Sequence, residues 1–297
     1  MFSGNYGFVV ELIRALGVFC EPPVDEHSRL ADILGFSESP CCDVYQEIFC
    51  RDLPPYASVY LSNEGVVGGE ALERISGFWK ALRREVPHEP DHLSRLLGLA
   101  AFLEENQSFV REPARTLLIE RSRAALFWEH LLPWVPMYLD RVETIGKGTV
   151  YGDWAKLLSE TLVCKFECLG PLEDLPRHLV ASSGLPDPRR RGAAQFFSSL
   201  FAPVQSGFIL LTEDLNNLAD EIGILPKDHD RQAILKDLLR VAPQETLGGL
   251  AKMAFERSCS ISERWSSLGE LCFHWERRAK ESGELLQQLS WDLEEEA

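Results

Sequence analysis

An all-α protein is what this 297-residue sequence predicts. Three observations carry that expectation. Apolar residues recur at three- and four-residue steps, the spacing that lines one face of a helix. Alternating β–α units are absent, and VVGGE at 66–70 has neither the Walker nor the dinucleotide glycine spacing. Strand-like runs are almost missing: SVYL at 58–61 is the best, and with Pro54 and Pro55 before it and Gly65 behind it reads as an extended loop.

The opening stretch, MFSGNYGFVVELIRALGVFCEPP, has no basic leading segment and carries Glu11 and Arg14 within its apolar part, so it reads as an amphipathic helix and not as a secretory signal. From Glu70, Leu72, Ile75, Trp79, Leu82 and Val86 form one helical face. From Asp91, Leu93, Leu96, Leu97, Ala100 and Leu103 form the next, with Asp91 at the N-cap position and Pro90 just outside it. The run 115–143 reads as two helices parted by Pro133 and Pro136, because proline donates no backbone hydrogen bond and crowds the preceding turn. Trp154, Leu157, Leu158, Leu162 and Phe166 continue the series. Four prolines, three glycines and Arg189–Arg190–Arg191 at 170–192 mark a linker. Beyond it, Thr212, Glu213 and Asp214 open a helix that ends before Gly223, residues 229–241 form another, and 244–293 make one long helix interrupted near Gly248–Gly249, with an acidic tail that frays. The expected organisation is a helical domain over 1–170, a linker over 171–192, and a helical extension over 193–297.

Thirty basic against 46 acidic residues give a formal charge of −16, which repels phosphate backbones and attracts basic peptides. No apolar run reaches the ~20 residues of a membrane-spanning helix, and a cytoplasmic protein is expected. Cys20, Cys41, Cys42, Cys50, Cys164, Cys168, Cys259 and Cys272 show no C-x-x-C pair and are expected reduced. No four-ligand pattern stands out, so no metal and no other cofactor is expected.

The stretch PHEPDHLSRLLGLAAFLEE, 87–105, crowds His88, Glu89, Asp91 and His92 at the mouth of an apolar helix. As an enzyme site, His92 beside Asp91 offers an acid–base pair, but no partnered nucleophile is visible. As plain structure, Asp91 caps the helix and Glu89 favours its dipole. As a recognition site, the stretch joins two others: PPYASVYL at 54–61, with Tyr56, Ser58 and Tyr60, and HLLPWVPMY at 130–138, with His130, Trp134, Pro136, Met137 and Tyr138. Aromatic and methionine side chains on irregular backbone suit a peptide-binding surface. For Trp134, core and groove are both open; Trp79 and Trp154, at helical spacing, read as core.

In that order, P-P-Y-x-S-V-Y-L, E-P-D-H-L-x-x-L-L-x-L-x-x-F-L and H-L-L-P-W-V-P resemble the TorD/DmsD/NarJ family of redox-enzyme maturation chaperones, over roughly residues 8–170. The resemblance implies an all-helical chaperone without chemistry of its own. Such a chaperone binds the twin-arginine signal peptide, or the apo form, of a molybdopterin oxidoreductase subunit and holds it in the cytoplasm until cofactor insertion and export. Asp91 and His92 match the family's aspartate–histidine pair in the region linked to leader binding, with Pro90 and Leu93 as flanks. The family's glutamate often stands one residue further from the aspartate than Glu89 does. Tyr56, Ser58 and Tyr60 match the proline-led loop, and Trp134 and Pro136 the later hinge. Many members end near 170, which leaves the last hundred residues without a family role.

A twin-arginine leader presents two guanidinium groups and then an apolar stretch, so its binding calls for acids beside an apolar groove. Glu89 and Asp91 supply part of that acid, and Asp91 and His92 are expected at the lip of an open cleft. The rival readings are a helical enzyme centred on His92 and a non-catalytic helical adaptor. A homodimer is among the arrangements the sequence allows, and it does not name the client.

Overall fold

The computed structural model describes residues 3–109, 112–166, 169–170, 172 and 174–296; for 3–9, 108–109, 295 and 296 the backbone alone is described. Cys168, and Pro171 and Glu173 of the expected linker, lie outside the described residues, as does Ala297 of the tail. The described residues form helices and no strand, as the sequence predicts. None of these helices is long and apolar enough to cross a membrane, and no group of three or more metal-binding side chains occurs among the described residues. The chain falls into two compact units, Met1–Ser62 with Val66–Pro176, and Asn63–Gly65 with Arg177–Ala297.

The first unit contains α1 (Ser3–Val18), α2 (Asp25–Leu34), α3 (Cys42–Tyr45) running into a wider π-type turn over Gln46–Asp52, α4 (Ala57–Leu61), α5 (Gly69–Ala81), α6 (Leu93–Phe109), α7 (Pro113–Ala125) running into a second wide turn over Leu126–Leu131, α8 (Val135–Ile145) and α9 (Val150–Phe166). Helix α1 packs along α6, burying Val10, Ile13 and Leu16 against the Leu93, Leu96, Leu97, Ala100 stripe. The Trp154 indole donates to the Leu16 carbonyl at 2.7 Å, which ties α9 to the end of α1. The long run 115–143 breaks where the prolines predict: Leu132 N–H reaches back five residues to Phe127 at 2.8 Å, and the chain restarts at Val135 with Pro136 in the first turn. A feature the periodicity conceals lies inside this bundle. Glu104 is fully buried on α6 and is met by Lys165 of α9 at 3.1 Å and by Arg123 of α7 at 3.3 Å. A buried carboxylate survives only when it is paired and hydrogen-bonded, so this cluster fixes how three helices meet.

Residues 58–61 correct the sequence reading. They are α4, a short helix, and not an extended loop; the reason lies in the candidate site.

The second unit contains α10 (Arg177–Ala181), α11 (Pro188–Arg191), α12 (Ala193–Leu200), α13 (Pro203–Ser206), α14 (Thr212–Ile222), α15 (Arg231–Val241), α16 (Pro243–Trp265) and α17 (Glu270–Glu296). Two of its helices therefore lie within the stretch 171–192 expected as a linker. Arg278 of α17 donates to the Ser182 carbonyl at 3.0 Å, and Arg189 pairs with Asp187 and Asp292, so the polar side chains hold that stretch in place. Asp214 accepts from Leu211 N–H at 3.0 Å at the start of α14, and Asp230 accepts from Gln232 and Ala233 at the start of α15. The single long helix expected over 244–293 is instead a hairpin of α16 and α17. Its break is at Gly269, whose φ of +57 and ψ of −124 suit glycine alone. Gly248 and Gly249 stay helical within α16, and a Cβ on Gly249 would clash with Leu218, so glycine there lets α14 pack closely.

Candidate functional site

The first two motif stretches meet. Tyr56 and His92 form an isolated antiparallel bridge: Ala57 N–H donates to the Asp91 carbonyl at 3.0 Å, and Leu93 N–H donates to the Pro55 carbonyl at 2.8 Å. Each segment is the start of a helix, and the first N–H groups of a helix have no partner within it. Here the two starts supply each other. The Asp91 carboxylate takes Ser58 N–H at 3.1 Å and the Ser58 hydroxyl at 2.6 Å, so it caps α4. The expected N-cap role on its own helix is corrected: α6 begins at Leu93, and its side-chain cap is His92, whose Nδ1 lies 3.2 Å from Ser94 N–H. This exchange explains why a β-branched, aromatic run such as 57–61 turns helical. The cap comes from 33 residues away and outweighs local propensity. The Trp79 indole holds the junction by donating to the Pro90 carbonyl at 3.2 Å.

The open lip expected at Asp91 and His92 is also corrected. Asp91 is 1 % and His92 5 % exposed, and Pro90, Leu93, Ser58 and Tyr60 are buried with them. The physical reason is the reciprocal capping, which brings both helix starts and their polar groups inward. Asp91 Oδ1 accepts no hydrogen bond from the described residues. Glu89 alone of the acidic pair faces outward, with 43 % of its side chain exposed, next to an almost fully exposed His88. It sits in left-handed backbone, φ +58, and its carboxylate accepts from the Tyr56 hydroxyl at 2.7 Å. Tyr56 is half-buried. Its phenol titrates above the usual range, first through burial and then through the bond to Glu89. The Tyr56 ring meets the edge of the His92 ring at 4.8 Å.

The His92 ring belongs to a relay. Its Nδ1 is 2.7 Å from Ser94 Oγ, and that hydroxyl donates to Glu21 at 2.6 Å. With Nδ1 bare, the ring caps the helix; with Nδ1 protonated, it donates to Ser94. Burial lowers the His92 pKa, against the opposing pull of Glu21 and Glu89. With Nδ1 protonated, the hydroxyl proton is directed at Glu21.

The third stretch joins from below. Trp134 is fully buried, stacked on Tyr60 at 5.1 Å and 7°, and its indole donates to the His130 carbonyl at 2.8 Å. Of the two readings left open for Trp134, the structure shows core. Pro136 is buried in the first turn of α8. The Tyr60 hydroxyl donates to the Pro54 carbonyl at 2.9 Å, closing a path from the 130–138 stretch to the 54–61 stretch. His130 is buried against Phe78, ring centroids 4.6 Å apart; burial first, and then the Arg74 guanidinium, push its pKa down to about 3. A histidine held neutral in the fold binds protons more weakly than in the unfolded chain, where its pKa is about 6.5. Stability is therefore complete above pH ~6.5 and is lost as pH falls toward 3. His130→Leu should remove on the order of 3 kcal/mol of the stability difference between pH 7 and pH 4, read from urea melts of both proteins; parallel pH profiles would show that His130 contributes none of it.

Sequence reasoning missed Glu21 and Ser94, which complete the His92 relay, and Trp79, which it placed only as core. Ser94 stands two residues after His92, the position a capping partner occupies, and that spacing is a usable signal. Glu21 carries none, being 73 residues distant.

Comparison with known proteins gives the same segment. The model of the nitrate reductase delta subunit family matches residues 37–140, a span that contains all three motif stretches. The chain is 31 % identical over 113 residues to the probable Tat proofreading chaperone DmsD of Haemophilus influenzae, covering 37 % of this chain and 50 % of that protein. It is 24 % identical over 123 residues to the chaperone protein TorD of Vibrio vulnificus, 39 % of this chain and 56 % of that one. A third relative, TorD of Vibrio cholerae, is 23 % identical over 135 residues, 44 % and 61 %. The chain thus spans about half to three fifths of the length of the curated relatives it matches. By its motifs, its helical architecture and these matches, the chain over residues 37–140 is similar to the nitrate reductase delta subunit family and to DmsD and TorD chaperones.

Proposed function

We propose that this protein is a cytoplasmic maturation chaperone. Its client is the catalytic subunit of a molybdopterin oxidoreductase, bound through its twin-arginine signal peptide, its apo form, or both, and held until cofactor insertion and export. It acts by reversible binding, without catalysis. The observation that carries this reading is the convergence of the three family stretches: residues 36 and 74 positions apart in the chain, Tyr56, His92 and His130, are built into one continuous set of bridges, caps and stacked rings. Glu89 and Tyr56 are its accessible members and the first to meet a client guanidinium. Asp91, Ser58, Tyr60, Trp134 and Pro136 shape the platform beneath them. Asp91 Oδ1 offers a further acceptor to a guanidinium once the pairing of 55–57 with 91–93 opens.

The test is calorimetric titration of the full chain with twin-arginine leader peptides and with apo-oxidoreductase subunits from its own genome. Saturable binding is expected. Glu89→Gln should weaken it roughly tenfold to a hundredfold, the worth of a hydrogen bond to a charged group, with the thermal midpoint unchanged. Absence of binding to both leaders and apo-subunits would overturn the reading.

A further inference from the structure

The second unit holds a cavity of about 670 Å³. Sites for small organic ligands run from about 300 to 1,000 Å³ and are mostly apolar with a few placed polar groups. The floor is core: Phe196, Leu247 and Leu289 belong to the cluster that α12, α16 and α17 bury together. Phe197 and Leu239, half-buried, form a wall. Two cations stand at its edge. Arg189 is committed to Asp187 and Asp292, which neutralises the one carboxylate lining the cavity. Lys236 is not committed: its ammonium lies over the Phe197 ring, 5.1 Å from the centroid, and makes no ion pair among the described residues.

Charge decides the class of ligand. The chain carries −16, so a cation left without a carboxylate beside an apolar cavity is a local exception to the surrounding field. A cationic ligand is repelled by Lys236, and a neutral hydrocarbon makes no use of it. A molecule with an apolar chain and one anionic head satisfies both, its chain filling the cavity and its head meeting the ammonium at the edge. We infer that this cavity binds a single-chain anionic amphiphile of the fatty-acid type. The site lies outside the stretch matched by the family and does not depend on the chaperone reading.

The experiment uses the full chain and a fluorescent fatty acid, 11-dansylaminoundecanoic acid, displaced by three twelve-carbon competitors below their aggregation concentrations: dodecanoic acid, dodecanol and dodecyltrimethylammonium. Dodecanoic acid is expected to displace the probe at the lowest concentration and the ammonium compound at the highest. Lys236→Glu should weaken the acid by roughly tenfold to a hundredfold and leave dodecanol unchanged. Ala194→Trp, which fills the cavity from α12, should abolish displacement by all three; its fold is checked by circular dichroism, and Lys236→Glu carries the test alone if that variant does not fold. Equal displacement by acid and ammonium, or an unchanged acid affinity in Lys236→Glu, overturns the inference. So does stronger displacement by an acidic, leucine-rich peptide than by dodecanoic acid, which would make the occupant a protein segment.

Discussion

Replacing Asp91 by alanine should lower the stability of the first unit by about 3 kcal/mol and loosen the start of α4. The carboxylate is buried and satisfies two donors of one residue, the Ser58 amide at 3.1 Å and the Ser58 hydroxyl at 2.6 Å. Removing it strands both, and a buried unsatisfied donor costs ~1–3 kcal/mol. Asp91→Asn keeps an oxygen acceptor without the charge, and its cost should be about half. Ser58→Ala removes the hydroxyl, leaving the amide capped and the Gly68 amide without the acceptor it has at 3.1 Å, so the two positions should couple in a double-mutant cycle by ~1 kcal/mol or more. Urea denaturation followed by tryptophan fluorescence measures these differences, and hydrogen exchange of the Ala57 and Ser58 amides localises them. A variant within ~0.5 kcal/mol of the parent, with slow exchange at both amides, would refute the capping role.

This outcome bears on how leader-binding variants are read. Loss of capture on mutating Asp91 cannot by itself identify a ligand contact, because the same change disturbs the junction that positions Tyr56 and Glu89. Glu89 separates the two effects. It is exposed, and the one described hydrogen bond of its side chain is to the half-buried Tyr56, so a binding defect in Glu89→Gln without a stability defect reports contact.

The helices of the first unit were legible because each buries a stripe, and a stripe leaves a local record: Ile75 and Trp79 in α5, Leu96 to Leu103 in α6, Trp154 to Phe166 in α9. What was not legible depends on partners distant in the chain. The run SVYL has strand propensity, and its helical state is decided by a carboxylate 33 residues later. Asp91 carried a correct signal, that of a cap, attached to the wrong helix. The same limit applies at Gly248–Gly249 and Gly269. All three are helix-weakening residues in one helical pattern, and only the backbone at Gly269 and the packing of Leu218 against Gly249 separate the one that breaks it from those that do not. Burial of the site residues was the largest departure. Polar residues at a helix mouth imply exposure only when no second helix start is present to satisfy them, and periodicity does not report where a second start will be.

Trp134 poses the same question for an aromatic residue, and it has a clean experimental answer. Trp134→Ala should cost about 3–5 kcal/mol, the range for deleting a large buried aromatic side chain. Three losses contribute: the stacking on Tyr60 at 5.1 Å, the tilted contact with Tyr138 at 5.3 Å, and the indole bond to the His130 carbonyl at 2.8 Å. Trp134→Phe restores a ring but not the donor, so its cost should be smaller, about 1–3 kcal/mol. A tryptophan lining an open groove behaves in the opposite way: its removal changes stability by no more than ~0.5 kcal/mol and is felt only in binding. The two readings therefore differ by a factor of six or more in a denaturation experiment that needs no client. A Trp134→Ala protein as stable as its parent would mean that the ring leaves its stack with Tyr60 in solution, and would overturn the core reading of Trp134.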